Sequence, residues 1–178
     1  DAIFIMNAAG DCIAASNAGT VNSFVGSNYS DRDYFREAMT EGNGQQYAVG
    51  RLTNIPGLYY SSAVTSEAGQ FLGAVIVKRD IPQLAFLLRH TNSFFADDKG
   101  VTILASDKRL LDRVLPGGKL LEMSESARMS RYKRSAFEPL KVTRWRQDEW
   151  PELMLIDTEE LPRIFFKSSN AKNGITVY

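Results

Sequence analysis

The sequence predicts an α+β fold of two tandem modules, each an antiparallel sheet flanked by helices. Short β-rich runs, separated by turn-forming residues, follow one another through residues 1–80 with one helical segment among them. A similar pattern then restarts, because FFADDKGVTILAS resembles the earlier FIMNAAGDCIAAS. In both stretches a turn with glycine and an acidic residue joins two short apolar strands, which indicates related modules. We therefore predict a module over residues 1–80, a connecting helix over residues 81–93 and a second module over residues 94–178.

A hairpin, a helix and a three-stranded meander are predicted in the first module. Runs of β-branched and aromatic residues bounded by turns place its strands over residues 2–7, 12–16, 46–52, 58–65 and 70–80. The helix is expected over residues 31–40, because Gly42 and Gly44 would end it. The turns NIPG and SEAG leave short links between the last three strands, so these strands should pair antiparallel.

The second module is predicted to begin with a hairpin and to contain one helix. The connecting helix before it has Pro82 in its first turn, a favoured position for proline. Strands are expected over residues 94–96 and 101–106, and a helix over residues 108–115 would end at Pro-Gly-Gly. The sequence ends within the strand-like run GITVY, so we expect this module to be truncated.

Composition argues against several functional classes. The 178 residues are 44% hydrophobic and 24% charged, which is typical of a globular domain. Basic and acidic residues number 21 each, so the net charge gives no reason to expect a nucleic-acid partner. The apolar runs are far shorter than the roughly 20 residues of a transmembrane helix, and no signal peptide is recognisable. Because the chain begins within a strand-like run, we expect it to be a piece of a longer protein.

Reactive side chains are few, and they predict no catalytic or metal site. Cys12 and His90 are the only cysteine and histidine, so no intrachain disulfide can form. A nucleophile–base pair of Cys12 and His90 is an alternative, although neither residue lies in a recognisable catalytic motif. The sequence lacks a nucleophile elbow, a phosphate-binding loop and a metal-ligand motif. We therefore expect no enzyme activity, no metal and no cofactor.

The start of the first helix, GSNYSDRDYF, carries a cation in an unfavourable place. With Ser30 as N-cap, Asp33 falls at the third helical position and completes a capping box. Tyr29 and Tyr34 then occupy the two positions of a hydrophobic staple. Arg32 would oppose the positive end of the helix dipole, at a cost of about 0.3–1 kcal/mol. An anion bound at the helix start would explain the arginine; pairing with a neighbouring acid is the alternative.

Two neighbouring strands carry polar side chains that should share one face of the sheet. Alternation along FLGAVIVKRD places Lys78 and Asp80 on the same side at the end of an apolar strand. Alternation along LYYSSAV likewise places Tyr59 and Ser61 together. A face with these groups could line a pocket with a few convergent polar side chains. The alternative is a solvent-facing surface with an ordinary lysine–aspartate pair.

These motifs resemble those of a known family of sensor domains. The stretches VGSNYSDRDYFREAMTEG, YAVGRLTNIPGLYYSSAV and GQFLGAVIVKRDI are similar to the membrane-distal module of double-Cache domains. These are PAS-like, extracytoplasmic ligand-binding regions of bacterial histidine kinases, diguanylate cyclases and chemoreceptors. The stretch FFADDKGVTILASDKRLL resembles the start of their membrane-proximal module, and the resemblance covers most of residues 1–111. It implies two tandem Cache modules with the ligand pocket in the first.

Within that family the sequence is most similar to sensors of four-carbon dicarboxylates. The ligand-binding residues implied by this likeness are Asn28, Tyr29, Arg32, Tyr34, Tyr59, Ser61, Lys78 and Asp80. Arg32 and Lys78 would neutralise ligand carboxylates. Tyr34 and Tyr59 would exclude water, and Ser61 would orient the ligand.

The remaining implied residues have less direct roles. Backbone groups near Asn28 and Tyr29 would donate N–H groups to the ligand. Amino-acid-sensing relatives use an aspartate matching Asp80 to hold the ligand ammonium. They usually carry a tryptophan–tyrosine pair where this chain has Tyr34 and Phe35, a difference that argues against an amino-acid ligand.

The resemblance implies a sensing region rather than an enzyme. The ligand would be a small carboxylate, and the parent protein would be a receptor anchored in the bacterial inner membrane, compatible with a homodimer. Such domains normally begin with a long helix, whereas residue 1 of this sequence leads directly into a strand, and the second half shows no matching pocket signature. An amino-acid or amine sensor that uses Asp80 is one alternative. A ligand-free dimerisation module is another.

Overall fold

The chain folds into two compact units, Asp1–Gln83 and Leu84–Tyr178. The computed structural model describes residues 1–88, 93–146, 150–157, 159–165, 167–170 and 175–178. Apart from a two-residue parallel pairing in the second unit, the described strands form antiparallel sheets with few helices, so the predicted fold class is confirmed. Whether the units correspond to membrane-distal and membrane-proximal modules stays a prediction.

The first unit is a five-stranded antiparallel sheet with one helix packed on it. Its elements are β1 (Ala2–Asn7), β2 (Cys12–Ala15), α1 (Asp33–Glu41), β3 (Asn43–Val49), β4 (Pro56–Thr65) and β5 (Phe71–Asp80). The strand order is β2-β1-β5-β4-β3. The predicted hairpin, helix and meander are therefore all present, and β1 closes the sheet by pairing with β5.

One face of this sheet forms the apolar core beneath α1. Phe4 lies opposite Ile76 and Met6 opposite Ala74 in the β1–β5 ladder. All four side chains are almost fully buried, whereas Val77 on the other face is exposed. This alternation is the one predicted for β5, and it places Lys78 on the buried side.

The start of α1 differs from the prediction. The N-cap is Arg32, with no side-chain capping hydrogen bond, so the expected cap at Ser30 is wrong. The Arg32 N–H donates to the carbonyl of Tyr29 in a turn that precedes the helix, and this turn moves the helix start by two residues. The Ser30 hydroxyl donates instead to the Asn28 side chain at 2.7 Å. Asp33 becomes the first helical residue and pairs with Arg36.

The predicted connecting helix is only partly described. Ile81–Leu88 forms a 3₁₀ helix, and residues 89–92, including His90, lie outside the described residues. A 3₁₀ segment is tighter than an α-helix and is common in short connections. The predicted connecting helix is therefore a 3₁₀ helix over the described part of the connector.

The second unit is built from short strands and one α-helix. Its elements are β6 (Phe94–Ala96), β7 (Thr102–Ala105), β8 (Arg113–Val114), α2 (Glu125–Tyr132), β9 (Glu138–Pro139), β10 (Val142–Arg144), β11 (Leu153–Ile156), β12 (Arg163–Ile164), β13 (Ser168–Asn170) and β14 (Ile175–Val177), with 3₁₀ helices at Lys108–Leu110 and Leu120–Glu122. They form sheets of order β13-β14-β6-β7, β10-β11-β12 and β8-β9. The helix predicted over residues 108–115 is reduced to one 3₁₀ turn, because Leu111 is extended and Asp112 has a φ of 58°.

The two hairpins that carry the sequence repeat share one construction. The Asn7 side chain in the first and the Asp97 side chain in the second each accept backbone N–H groups two and four residues further along. Gly10 and Gly100 occupy equivalent left-handed positions with φ of 87° and 80°. Each glycine N–H donates at 3.0 Å to the carbonyl three residues before it. The repeat in sequence is therefore a repeat in backbone geometry.

Candidate functional site

A stacked pair of tyrosines lies at the centre of the candidate site. Tyr34 comes from the first turn of α1 and Tyr59 from β4. Their ring centroids are 5.0 Å apart and the rings are 6° from parallel. Both side chains are buried, so the pair forms an apolar wall between the helix and the sheet.

Gly44 and Ser61 bring α1 close enough to the sheet for this pair to form. A Cβ atom at Gly44 would lie 2.3 Å from the carbonyl oxygen of Tyr34, so only glycine fits there without a shift. Ser61, opposite Gly44 in the β3–β4 ladder, donates its hydroxyl to that same Tyr34 carbonyl. This short contact fixes the helix start against β4.

Lys78 is a cation buried on the same face as Tyr59. It lies opposite Tyr59 in the β4–β5 ladder, and only 2% of it is exposed. Its Nζ is 5.9 Å from the centroid of the Tyr59 ring, within the range of a cation–π interaction. Gly57 leaves room for the lysine stem, since a Cβ there would be 2.9 Å from the Lys78 Cε.

Asp80 shares the strand face with Lys78, as the alternation predicts, and the two form an ion pair. Burial raises the pKa of Asp80, but the hydrogen bonds from Lys78 and from the N-terminal ammonium outweigh it, and the net shift is downward. The ammonium of Asp1 lies 2.7 Å from Asp80 Oδ2. Asp80 is therefore ionised at neutral pH and pairs with the side chain of Lys78.

Arg32 supplies a second buried cation near the tyrosine pair. Only 4% of the residue is exposed, and its guanidinium donates to the carbonyl of Val49 at 3.3 Å. Burial raises the pKa of Tyr34 and of Tyr59, and the charge of Arg32 partly offsets that rise for both. Both phenols thus stay neutral at physiological pH beside a positive charge.

Three residues that were predicted from sequence to bind the ligand form hydrogen bonds within the protein instead. The Asn28 side chain donates to the carbonyl of Ala9 at 3.0 Å and to Asp11 at 2.8 Å. The Tyr29 N–H donates to the carbonyl of Gly10 at 2.9 Å. Ser61 is engaged with backbone carbonyls, as described above. The structure thus brings Arg32, Tyr34, Tyr59, Lys78 and Asp80 together, and uses Asn28, Tyr29 and Ser61 to position them.

The prediction from sequence missed Arg51. Its guanidinium lies 5.5 Å from the Tyr29 ring centroid, and its Nη2 donates to both carboxylate oxygens of Asp31 at 2.8 and 2.9 Å. It also donates to the carbonyl of Asn28 at 2.9 Å, so it holds the loop that leads into α1. A basic residue at the start of the turn RLTNIPG was the only signal for this role.

Gln46 was also missed. It lies opposite Tyr59 in the β3–β4 ladder and is 7% exposed. Its Nε2 donates to Asp33 at 2.7 Å, while its Oε1 is buried with no hydrogen-bond partner among the described residues. A buried acceptor next to the tyrosine pair could accept a hydrogen bond from a ligand.

The arrangement of these side chains favours binding of an anion. Arg32 and Lys78 lie buried beside one aromatic pair, and guanidinium and ammonium groups in such surroundings bind carboxylates through charge-assisted hydrogen bonds. No group of three or more histidine, cysteine, aspartate or glutamate side chains within the described stretches could hold a metal ion. No helix in the described part of the chain is long and apolar enough to cross a membrane.

Comparisons with known proteins give related sequences and folds, although no protein-family model matches the chain. It is 32% identical over 106 residues to the C4-dicarboxylate transport sensor protein DctB of Rhizobium meliloti, covering 58% of this chain and 17% of that protein. The chain therefore spans less than a fifth of this curated relative. The crystal structure of the Vibrio cholerae histidine kinase DctB sensor domain superposes with a TM-score of 0.74 and 22% identity, over 99% of this chain and 69% of that one.

A second solved structure has the same fold at lower sequence identity. The periplasmic domain of RsbU from Chlamydia trachomatis matches with a TM-score of 0.70 and 12% identity, over 99% of this chain and 67% of that one. Both matched structures are domains of larger proteins, and each match extends over both units of the chain. The PAS-like, Cache-type fold implied by the sequence motifs is therefore confirmed.

Proposed function

We propose that this chain, which is homologous to the DctB C4-dicarboxylate sensor proteins and has the fold of their sensor domain, senses a small carboxylate outside the cytoplasm. The observation that carries the proposal is the burial of Arg32 and Lys78, to 4% and 2% exposure, against one stacked tyrosine pair. Guanidinium and ammonium groups on a water-poor face bind carboxylates through strong charge-assisted hydrogen bonds.

Each residue near the pair has a defined role in this proposal. Arg32 and Lys78 bind the ligand's negative charge. Tyr34 and Tyr59 keep water away, which strengthens those interactions. Ser61 acts indirectly, since its hydroxyl fixes the Tyr34 backbone instead of facing a ligand.

Calorimetric titration with succinate, malate and a panel of organic acids tests this site. We expect Arg32→Ala and Lys78→Met each to weaken the strongest carboxylate binding by about tenfold or more, because each removes a charge-assisted hydrogen bond. Arg79→Met is the matched control, because Arg79 follows Lys78 but lies on the exposed face. Circular dichroism checks that each variant is folded.

Two results would contradict the site assignment. One is an Arg32→Ala variant that keeps every measured affinity. The other is an equal loss of affinity in Lys78→Met and in Arg79→Met. If no metabolite shifts the melting temperature, the ligand-free dimerisation module is favoured, since a ligand at 100 times Kd should stabilise the fold by about 2.7 kcal/mol.

An amine or amino-acid ligand is a second candidate, favoured by one observation. Asp80 pairs with the ammonium of Lys78 on the strand face that carries Tyr59, so a ligand ammonium would compete with Lys78 for this carboxylate. Asp80→Asn and Lys78→Met separate the two candidates. Loss of binding only in Asp80→Asn favours the amine, whereas loss in Lys78→Met favours the carboxylate.

The parent protein in this proposal is a membrane-anchored bacterial receptor, either a histidine kinase or a diguanylate cyclase. A ligand changes the output only if it binds one conformation of the sensor better than another. In a homodimer, a conformational change in one copy would be transmitted to the other copy.

A further inference from the structure

The second unit contains a cleft of about 790 Å³ with mainly apolar walls. It is formed by β8, the loop after β8, the 3₁₀ helix Leu120–Glu122, α2 and the segment that leads into β9. Its main apolar lining residues are Val114, Leu115, Leu120, Leu121, Phe137 and Leu140. Both the volume and the apolar lining are typical of small-molecule sites, which span about 300–1,000 Å³.

One cation, Arg128, lines this cleft, and one N–H donor of its guanidinium has no acceptor among the described residues. The Nε atom of Arg128 is buried and has no hydrogen-bond partner among the described residues. No acidic side chain in the described stretches forms an ion pair with Arg128. One turn along the chain, Arg131 binds both Asp97 and Asp98. Buried polar atoms are nearly always hydrogen-bonded, so the open donor of Arg128 calls for an acceptor.

The local backbone keeps Arg128 in a defined position. It lies in the first turn of α2, whose N-cap Ser124 accepts the N–H of Ala127 at 3.2 Å. Tyr132, at the end of the same helix, donates to Asp97 at 2.6 Å and so ties the helix to the β6–β7 hairpin. The helix that carries the guanidinium is capped at its start and tied to a hairpin at its end, which limits the motion that ligand binding would have to remove.

We propose that this cleft binds a small organic monoanion, a monocarboxylate with an apolar body. The carboxylate would accept hydrogen bonds from Arg128, and the body would lie against the leucines and Phe137. Glu125 is the other ionisable side chain of the lining, so the cleft offers one cation and one acid. This balance favours a single negative charge over two, unlike the site with Arg32 and Lys78.

The proposal does not depend on the function proposed for the first unit. Every lining residue of the cleft lies within Leu84–Tyr178. The two sites can therefore be tested separately in the same 178-residue chain.

Calorimetric titration with octanoate and phenylacetate, against octanamide and phenylacetamide as neutral analogues, tests the cleft. We expect saturable binding of at least one acid and weaker binding of its amide by about tenfold or more, since the charge-assisted hydrogen bond is lost. Arg128→Gln should weaken the acid by a similar factor. Arg144→Gln, an exposed arginine outside the lining, is the matched control and should bind as the wild type does.

A second variant keeps the test independent of any folding defect in Arg128→Gln. Leu121→Asp replaces an 84% exposed lining residue and adds a negative charge, so it should also weaken the acid. The proposal is overturned if neither acid binds saturably, or if Arg128→Gln and Arg144→Gln behave alike. It is equally overturned if binding is lost in Arg32→Ala and kept in Arg128→Gln, because the acid would then occupy the first unit.

Discussion

Arg32 remains a candidate anion-binding residue, but the structural reason for this assignment differs from the one that the sequence gives. From the sequence it stood at the second helical position, where its charge opposes the helix dipole. In the structure it is the N-cap, and the unusual feature is its 4% exposure beside two neutral tyrosines. Because the Arg32 guanidinium lies on a water-poor face, a carboxylate there would form charge-assisted hydrogen bonds with little competition from water.

Asp80 has a dual effect at the residue scale, because it both stabilises Lys78 and competes with a ligand for it. Without the carboxylate, Lys78 would lie in a 2% exposed position with one partner fewer. A carboxylate ligand would have to share or replace this pair. We therefore expect the ion pair to influence how strongly the site discriminates between an acid and an amine.

The stability of the chain should depend on pH through Asp80. Its pKa is lowered on folding, so its contribution is present above the unfolded value near 3.9 and is lost as the pH falls through the lower folded pKa. We expect the free energy of unfolding to drop below about pH 4, and Asp80→Asn to lose part of this dependence. At pH 7 the variant should be less stable by about 1.5–3 kcal/mol, because Lys78 loses a charged hydrogen-bond partner.

Urea unfolding followed by circular dichroism between pH 3 and pH 7 measures this effect. Glu67→Gln is the control, because Glu67 is exposed in the β4–β5 turn and forms no ion pair among the described residues. Equal pH slopes in Asp80→Asn and in the wild type would show that the pair does not stabilise the fold.

At the scale of elements, the first unit was predictable because its strands are long and its turns are chemically distinct. The β4 and β5 strands run for 10 residues each, so the alternation of buried and exposed residues can be read directly. The second unit has strands of two to four residues, too short to show a period. Helix α2 was missed because ESARMSRY contains few apolar residues, and its burial depends on contacts such as Tyr132 with Asp97.

The candidate site was predictable in part, for the same physical reason. Lys78, Asp80 and Tyr59 follow from strand alternation, which is a local property. The roles of Asn28 and Ser61 depend on which backbone carbonyls fold next to them, and those partners are 19 and 27 residues away. Sequence alone shows which residue types are present, but it does not show which residues so far apart in the chain become hydrogen-bond partners.

The helix–sheet contact at Gly44 should control both stability and ligand affinity. In Gly44→Ala the new methyl group would meet the Tyr34 carbonyl at 2.3 Å, which forces α1 away from β3. We expect a loss of about 1–3 kcal/mol in unfolding free energy, typical of overpacking. Carboxylate affinity should fall as well, because Tyr34 and Arg32 move with the helix.

Gly69→Ala separates this effect from ordinary backbone strain. Gly69 lies in the β4–β5 turn with a φ of 79°, and a Cβ there meets nothing within 4 Å. The control should lose stability through its left-handed backbone and keep its affinity. Unchanged affinity in Gly44→Ala, measured by titration, would mean that the helix position does not set the site.

At the scale of the whole molecule, two units share a hairpin design and differ in chemistry. The Asn7 and Asp97 hairpins have the same side-chain bridge and the same left-handed glycine. The first unit places two cations beside stacked tyrosines, whereas the second lines a cleft with leucines and one arginine. A common scaffold thus carries two different sets of binding groups.

Hydrogen exchange followed by mass spectrometry should therefore show two separate responses. Succinate, if it is a ligand, should slow exchange in β4, β5 and the start of α1, because binding opposes the local opening of these elements. Octanoate should instead slow exchange in α2 and in the segment leading into β9. Arg32→Ala should abolish only the first response and Arg128→Gln only the second. Protection of the second unit by succinate in the Arg128→Gln variant would show that the two units are coupled instead of acting as separate binding modules.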